Sequence, residues 1–141
     1  LKKYLIQFSR PFIYSTAPSP LVMRALVAST EYHQEIFEDR VAALKEKIRF
    51  FKETVSFAIP GLRLRGEGPI FFIVLGGSQR SLDVASHLQS RGFDIRAIRY
   101  PTVPDQEAGL RISIHANQSE YSIKTMVQVL SEKISAVEAK Q

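Results

Sequence analysis

The 141 residues are 45% hydrophobic and 23% charged, a balance that supports one packed core and excludes a disordered body. The absence of cysteine excludes a disulfide framework and a thiolate metal centre. A formal charge of +5 is a mild excess that ordinary surface chemistry accommodates, so no nucleic-acid partner is expected from charge alone.

The chain opens on Leu1 within a helical pattern, as a piece of a longer protein is expected to. Leu1, Tyr4, Leu5 and Phe8 recur at helical spacing. Arg10-Pro11 ends that pattern, because the residue before proline avoids the α region, and Phe12–Tyr14 reads as an extended apolar stretch. Ser15-Thr16-Ala17-Pro18-Ser19-Pro20 is a polar loop punctuated by proline, in which Ser19 is placed to cap the next helix with Pro20 at its first position.

A long helix is predicted from about Pro20 to Thr54. Phe37, Val41, Leu44, Ile48, Phe51 and Val55 form one apolar face, and Ser29-Thr30 is the place where a bend is expected. Ile59-Pro60-Gly61 stops the helix. Ile70–Leu75 is the longest apolar run, far short of a membrane span and apolar on both faces, which predicts a central strand. No secretory leader is visible, and a cytoplasmic protein with no membrane partner is expected. Gly76-Gly77-Ser78 turns the chain into a helix reaching about Arg91, capped by Ser78 and closed by Gly92.

Phe93–Ile98 is predicted as a second strand and Leu110–His115 as a third. In the third, Leu110, Ile112 and Ile114 face one way and Arg111, Ser113 and His115 the other. Ser119–Glu138 closes the chain as a helix with an apolar stripe of Ile123, Met126, Val127, Leu130, Ile134 and Val137. The order after the long helix is β-α-β-β-α. It predicts an α/β fold: a small, mainly antiparallel sheet with helices packed on one face, preceded by the long helix. Two segments follow from this, residues 1–60 with the connecting helix and residues 61–141 as the α/β domain.

Little in the chain carries chemistry by spacing alone. His33, His87 and His115 are not spaced with one another or with an aspartate as metal ligands. Ser15 has no histidine and carboxylate partners in sequence. Gly76-Gly77-Ser78 has neither of the common nucleotide-loop spacings, so turn and cap outweigh a phosphate cradle. The segment from Tyr100 to Ile114 says more. Pro101 and Pro104 stiffen a loop that leads to Arg111 on a strand. A guanidinium is a planar fork of donors that matches a carboxylate in two bonds. The same pattern also serves a solvent-facing arginine opposite a buried face, and the residues alone leave both readings open.

Phe12-Ile13-Tyr14-Ser15-Thr16-Ala17, the loop Ala97-Ile98-Arg99-Tyr100-Pro101-Thr102-Val103-Pro104, and the strand start Leu110-Arg111-Ile112 occur in the order and at the separations found in α-oxoamine synthases. The chain resembles the C-terminal part of that family over nearly its whole length. The family pattern has glycine two residues after the second proline, where this chain has Gln106, and a histidine where this chain has Gln118.

The resemblance implies the C-terminal small domain of a fold-type I pyridoxal-phosphate (PLP) enzyme, of aspartate-aminotransferase fold. Such enzymes are homodimeric acyltransferases that condense an amino acid with an acyl-CoA and release CO2. It implies that Arg111 binds the amino-acid carboxylate and that Thr102 and Arg99 line the substrate entrance. It places Ser15 and Thr16 near the phosphate of the partner subunit's PLP. The PLP lysine and the other catalytic residues are expected in a preceding N-terminal domain, so these 141 residues alone are expected to be inactive. The Thr-Val-Pro form of the loop favours the family member of biotin synthesis, acting on L-alanine and a pimeloyl thioester. Members that use glycine or serine are the alternatives. From another class, a basic RNA-binding α/β module is the competing reading, but no GxxG loop and no aromatic pair on a strand supports it.

Overall fold

The computed structural model describes residues 1–138. Packing divides the chain into two units, one from Leu1 to Glu38 and the other beginning at Asp39.

The first unit holds two short helices, α1 (Lys2–Phe8) and α2 (Arg10–Ile13), and the beginning of α3 (Pro20–Ala58). The expected extended stretch at Phe12–Tyr14 is instead helical through Ile13. Ser9 is extended, with φ −81° and ψ 106°, and the helix restarts after it. Pro11 then falls in the first turn of α2, where its missing N–H would have had no intrahelical partner. Ser19 caps α3 as expected, its Oγ accepting from the Leu21 N–H at 3.2 Å. No break occurs at Ser29-Thr30: the Thr30 hydroxyl donates to the Leu26 carbonyl at 2.8 Å and the helix runs on.

In the second unit a four-stranded sheet is built from β1 (Leu64–Arg65), β2 (Ile70–Val74), β3 (Arg96–Ile98) and β4 (Gly109–Ser113). The spatial order is β1-β2-β4-β3 and every pairing is antiparallel. Two further helices, α4 (Ser78–Ser90) and α5 (Glu120–Glu138), complete the unit. Leu110, Ile112 and Ile114 are buried while Arg111, Ser113 and His115 are exposed, so the alternation read from the sequence has the right phase. The buried face joins Val84, Ala85 and Leu88 of α4 and Ile123, Val127 and Leu130 of α5 in one core.

Phe51 and Val55 of α3 are buried in the same core, and the Phe51 ring lies 4.8 Å from that of Phe71. That burial groups the later turns of α3 with the sheet, whereas the segment boundary drawn from the sequence follows the helix end near residue 60. The helices therefore cover one face of the sheet and leave the other open, and Arg111 stands on the open face.

Candidate functional site

The open face is a consequence of register. Arg65 pairs with Phe72, Phe72 with Arg111, and Arg111 with Arg96. Residues directly opposite across paired strands share a face. One row across the sheet therefore reads Arg65, Phe72, Arg111, Arg96, three arginines and one aromatic residue, with Arg65 and Arg111 on either side of Phe72. Two of the three are engaged. Arg65 pairs with Glu107 at 2.5 Å and Arg96 with Asp94 at 2.8 Å. No carboxylate among the described residues pairs with Arg111.

Arg111 stands between two hollows. One, of about 440 Å³, is lined by Arg111, Phe72, Ile70, Thr102, Val103 and Pro104, with Arg65 and Glu107 at its border. The other, of about 550 Å³, lies toward the β3 edge and is bordered by Arg96, Arg111, His115, Gln118 and Ser122. The first combines an uncommitted guanidinium, an apolar floor and a proline-stiffened wall, the combination that holds a small amino acid by its carboxylate and leaves the rest of it against apolar surface.

The loop that forms the wall is fastened at several points. Its turn closes through the Thr102 N–H, which donates to the Arg99 carbonyl at 2.9 Å, and the Tyr100–Pro101 peptide is cis. A 3-10 turn at Asp105–Glu107 follows. The Asp105 carboxylate accepts from the Ser78 N–H at 2.8 Å and from the Ser78 hydroxyl, and the Asp105 carbonyl accepts from the Gly77 N–H at 2.9 Å. The Leu75 and Gly76 N–H groups both donate to the Ala108 carbonyl at 3.0 Å. The Glu107 carboxylate takes Arg63 on one oxygen, at 3.0 Å, and Arg65 on the other.

These contacts correct one expectation and explain another. Ser78 is not the cap of α4 but its first residue; Gly77 holds the cap position at φ +79° without a side chain, and Asp105 supplies the capping carboxylate from across the loop. The free N–H groups that might have cradled a phosphate at Gly76-Gly77-Ser78 thus have internal acceptors. Gln106, where the family pattern has glycine, sits in a 3-10 turn. No non-glycine residue among those described has positive φ, so this backbone makes no demand for glycine there. Gln118 closes the turn after β4, its side-chain oxygen accepting from the His115 N–H at 2.9 Å.

Hydrogen bonding holds both loop carboxyls below the usual carboxylate range: Asp105 through the side chain and backbone of Ser78, Glu107 through Arg63 and Arg65. Each therefore stays charged at neutral pH and keeps its latch closed.

The structure brings two of the expected residues, Arg111 and Thr102, to one hollow. Arg99 is exposed and contributes its carbonyl to the turn; its side chain is not part of that hollow's lining. Ser15 and Thr16 lie in the first unit. Ser15 donates its hydroxyl to the Pro11 carbonyl, while Thr16 is exposed and its hydroxyl has no partner among the described residues. Asp105 and Glu107 were not singled out in the sequence. The separations to Ser78 and Arg63, 27 and 44 residues, give no local signal.

A model of the family described as aminotransferase class I and II matches residues 1–130. The chain belongs to that family. Within it, the chain is 32% identical over 134 residues to the 8-amino-7-oxononanoate synthase of Marinomonas sp., covering 94% of this chain and 33% of that protein. To the enzyme of the same name from Pseudomonas putida it is 37% identical over 131 residues, covering 91% and 32%. The crystal structure of 8-amino-7-oxononanoate synthase from Francisella tularensis superposes with a TM-score of 0.81 at 27% identity, over 97% of this chain and 39% of that one. The serine palmitoyltransferase of Sphingomonas wittichii has the same fold, with a TM-score of 0.84 at 18% identity over 98% and 35%. The chain spans about a third of the length of the relatives it matches. These relatives bear out both the likeness to α-oxoamine synthases and the fold expected of it.

Proposed function

We propose that this chain is the C-terminal part of a PLP-dependent acyltransferase, an 8-amino-7-oxononanoate synthase of biotin synthesis. The reaction condenses L-alanine with a pimeloyl thioester such as pimeloyl-CoA and releases CO2 and the free thiol. The observation that carries the reading is Arg111, an exposed guanidinium with no ion-pair partner among the described residues, on the floor of a hollow walled by the Thr102–Pro104 loop. Relatives of that name at 32–37% identity support the choice of reaction. An N-terminal domain that carries the PLP lysine and a second subunit are the partners this reading requires. The exposed apolar side chains of the first unit, among them Phe8, Phe12, Leu21 and Leu26, suit a surface that other protein covers.

The donor chemistry present fits the cofactor's phosphate: Thr16 offers an exposed hydroxyl with no internal partner, and Ser15 adjoins it. When bound, PLP supplies an electron sink for the charge left on the amino acid's α carbon. The chain's own residues bind and orient. Arg111 grips the amino-acid carboxylate in two parallel bonds and so fixes which bond at the α carbon faces the reacting group. Thr102 and Arg99 border the path by which substrate arrives, and the latched loop keeps that wall in place.

The test is steady-state kinetics of the full-length enzyme with L-alanine, glycine and L-serine. Charge-assisted hydrogen bonds contribute about 1.5–3 kcal/mol, and about 1.4 kcal/mol is a factor of ten in affinity. Arg111→Ala is expected to raise the KM for L-alanine about tenfold to a hundredfold while PLP binding stays close to wild type. Arg111→Lys is expected to recover only part of the loss, since an ammonium lacks the planar fork. An unchanged KM in Arg111→Ala would make the arginine a surface residue. A preference for glycine or serine over alanine would move the enzyme elsewhere in the family.

A further inference from the structure

The hollow beside Arg111 holds a second guanidinium, and a carboxylate of the chain occupies it. Arg65 and Arg111 flank Phe72 in the same cross-strand row. Their backbones are therefore two strand spacings apart, about 10 Å. Both border the same hollow, as does Glu107. Glu107 spends both oxygens on arginines, Oε1 on Arg63 at 3.0 Å and Oε2 on Arg65 at 2.5 Å. Those bonds hold its carboxyl below the usual range, so it stays charged at neutral pH.

We propose that Glu107 is a specificity-determining residue: by occupying Arg63 and Arg65 it leaves Arg111 as the hollow's carboxylate anchor, and so excludes amino acids that carry a second carboxylate. The proposal rests on the reading of Arg111 as that anchor. Without Glu107 the hollow would present two uncommitted guanidinium groups, from strands about 10 Å apart, each on a long flexible stem that shortens the gap to the reach of a five-carbon diacid. A substrate with one carboxylate gains nothing from the second cation, whereas a dicarboxylate gains a second charge-assisted pair. Discrimination of this kind works by denying the unwanted ligand a partner as much as by holding the wanted one.

The experiment measures competitive inhibition against L-alanine in the full-length enzyme, with propionate as the one-carboxylate probe and glutarate as the two-carboxylate probe. In wild type the two are expected to bind with similar constants. Glu107→Gln is expected to tighten glutarate at least about tenfold, the gain of one further ionic hydrogen bond, and to leave propionate within about twofold. Glu107→Asp, which keeps the charge, is expected to restore the wild-type ratio. Adding Arg65→Gln to Glu107→Gln is expected to remove the gain, an effect that loosening of the loop would not produce. Glu107→Ala carries the same expectation and serves if the glutamine variant folds poorly. Arg111→Ala separates the two claims. If it leaves propionate inhibition unchanged, the anchor reading fails. If it weakens propionate while the glutarate-to-propionate ratio of Glu107→Gln and Glu107→Ala stays at the wild-type value, the role given to Glu107 is overturned and the anchor reading stands.

Discussion

At the scale of single residues, the site is set by which charges are satisfied internally and which are left over. Arg65, Arg96 and Arg111 share one row of the sheet, and among the described residues only the first two meet carboxylates. Asp105 acts in the same way on a helix: its carboxylate takes the Ser78 N–H and hydroxyl at the start of α4, where a negative charge is also favoured by the helix dipole. Because its folded-state pKa is lowered, the native state binds fewer protons than the unfolded chain between the two pKa values. The stabilisation is therefore present above the unfolded value of about 3.9 and is lost as pH falls through the lower folded one. Asp105→Asn is expected to lower the Tm at pH 7 and to flatten the acid side of the Tm-against-pH curve below about pH 4. Curves for the two proteins that stay parallel through that range would show that the latch does not titrate.

Thr16 presents the opposite case, a hydroxyl left without an internal partner. In the full-length enzyme Thr16→Val is expected to weaken PLP affinity about threefold to tenfold, the contribution of about one hydrogen bond of 0.5–1.5 kcal/mol. Equilibrium dialysis against PLP measures it, and an affinity equal to wild type would remove Thr16 from the cofactor site.

At the scale of elements, the strand phase was legible and the long-range contacts were not. Alternation along Leu110–Ile114 predicted which side chains are buried, because a period of two leaves one choice of face. The strand predicted over Phe93–Ile98 is shorter in the structure: hydrogen bonding along the sheet begins at Arg96, while Phe93 and Ile95 form a tight turn after Gly92, with the Ile95 N–H donating to the Phe93 carbonyl at 2.8 Å. An apolar stretch does not reveal where its partner strand ends. The two-residue strand Leu64–Arg65 has too little pattern to be seen, yet it brings Arg65 to the site. The pairings of Asp105 with α4 and of Glu107 with β1 escaped for the same reason, since both depend on the finished fold.

Gly109 shows how tightly β4 sits between its neighbours. It pairs with Val74 on one side and Ile98 on the other, and a Cβ built there would lie 1.9 Å from the Ile73 carbonyl oxygen. The obstacle is backbone, which a rotamer change cannot relieve. Gly109→Ala is expected to cost about 1–3 kcal/mol or more and, by shifting β4, to move Arg111 as well. Thermal unfolding measures the first effect and the KM for L-alanine the second. A Tm within a degree of wild type would show that the strands yield easily.

At the scale of the whole molecule, the described residues contain one core, that of the second unit, and a first unit in which no residue is buried. Side chains as large as Phe8, Phe12 and Leu26 are expensive to leave in water. Their exposure agrees with a chain that spans about a third of its relatives' length. The resemblance read from the Ala97–Pro104 loop and the Leu110-Arg111-Ile112 strand led to the right family, and of those residues Ile98, Thr102, Val103, Pro104 and Arg111 line one hollow. The reaction proposed for that site is defined by its acyl group and its amino acid. The most direct measurement is therefore a product assay on the full-length protein, loaded with PLP and supplied with L-alanine and pimeloyl-CoA, with mass spectrometry of the products. The expected products are 8-amino-7-oxononanoate together with one CO2 and one free CoA thiol per turnover, with a rate at limiting alanine that falls about tenfold or more in Arg111→Ala. A folded, PLP-loaded enzyme that forms no such product would overturn the proposed reaction.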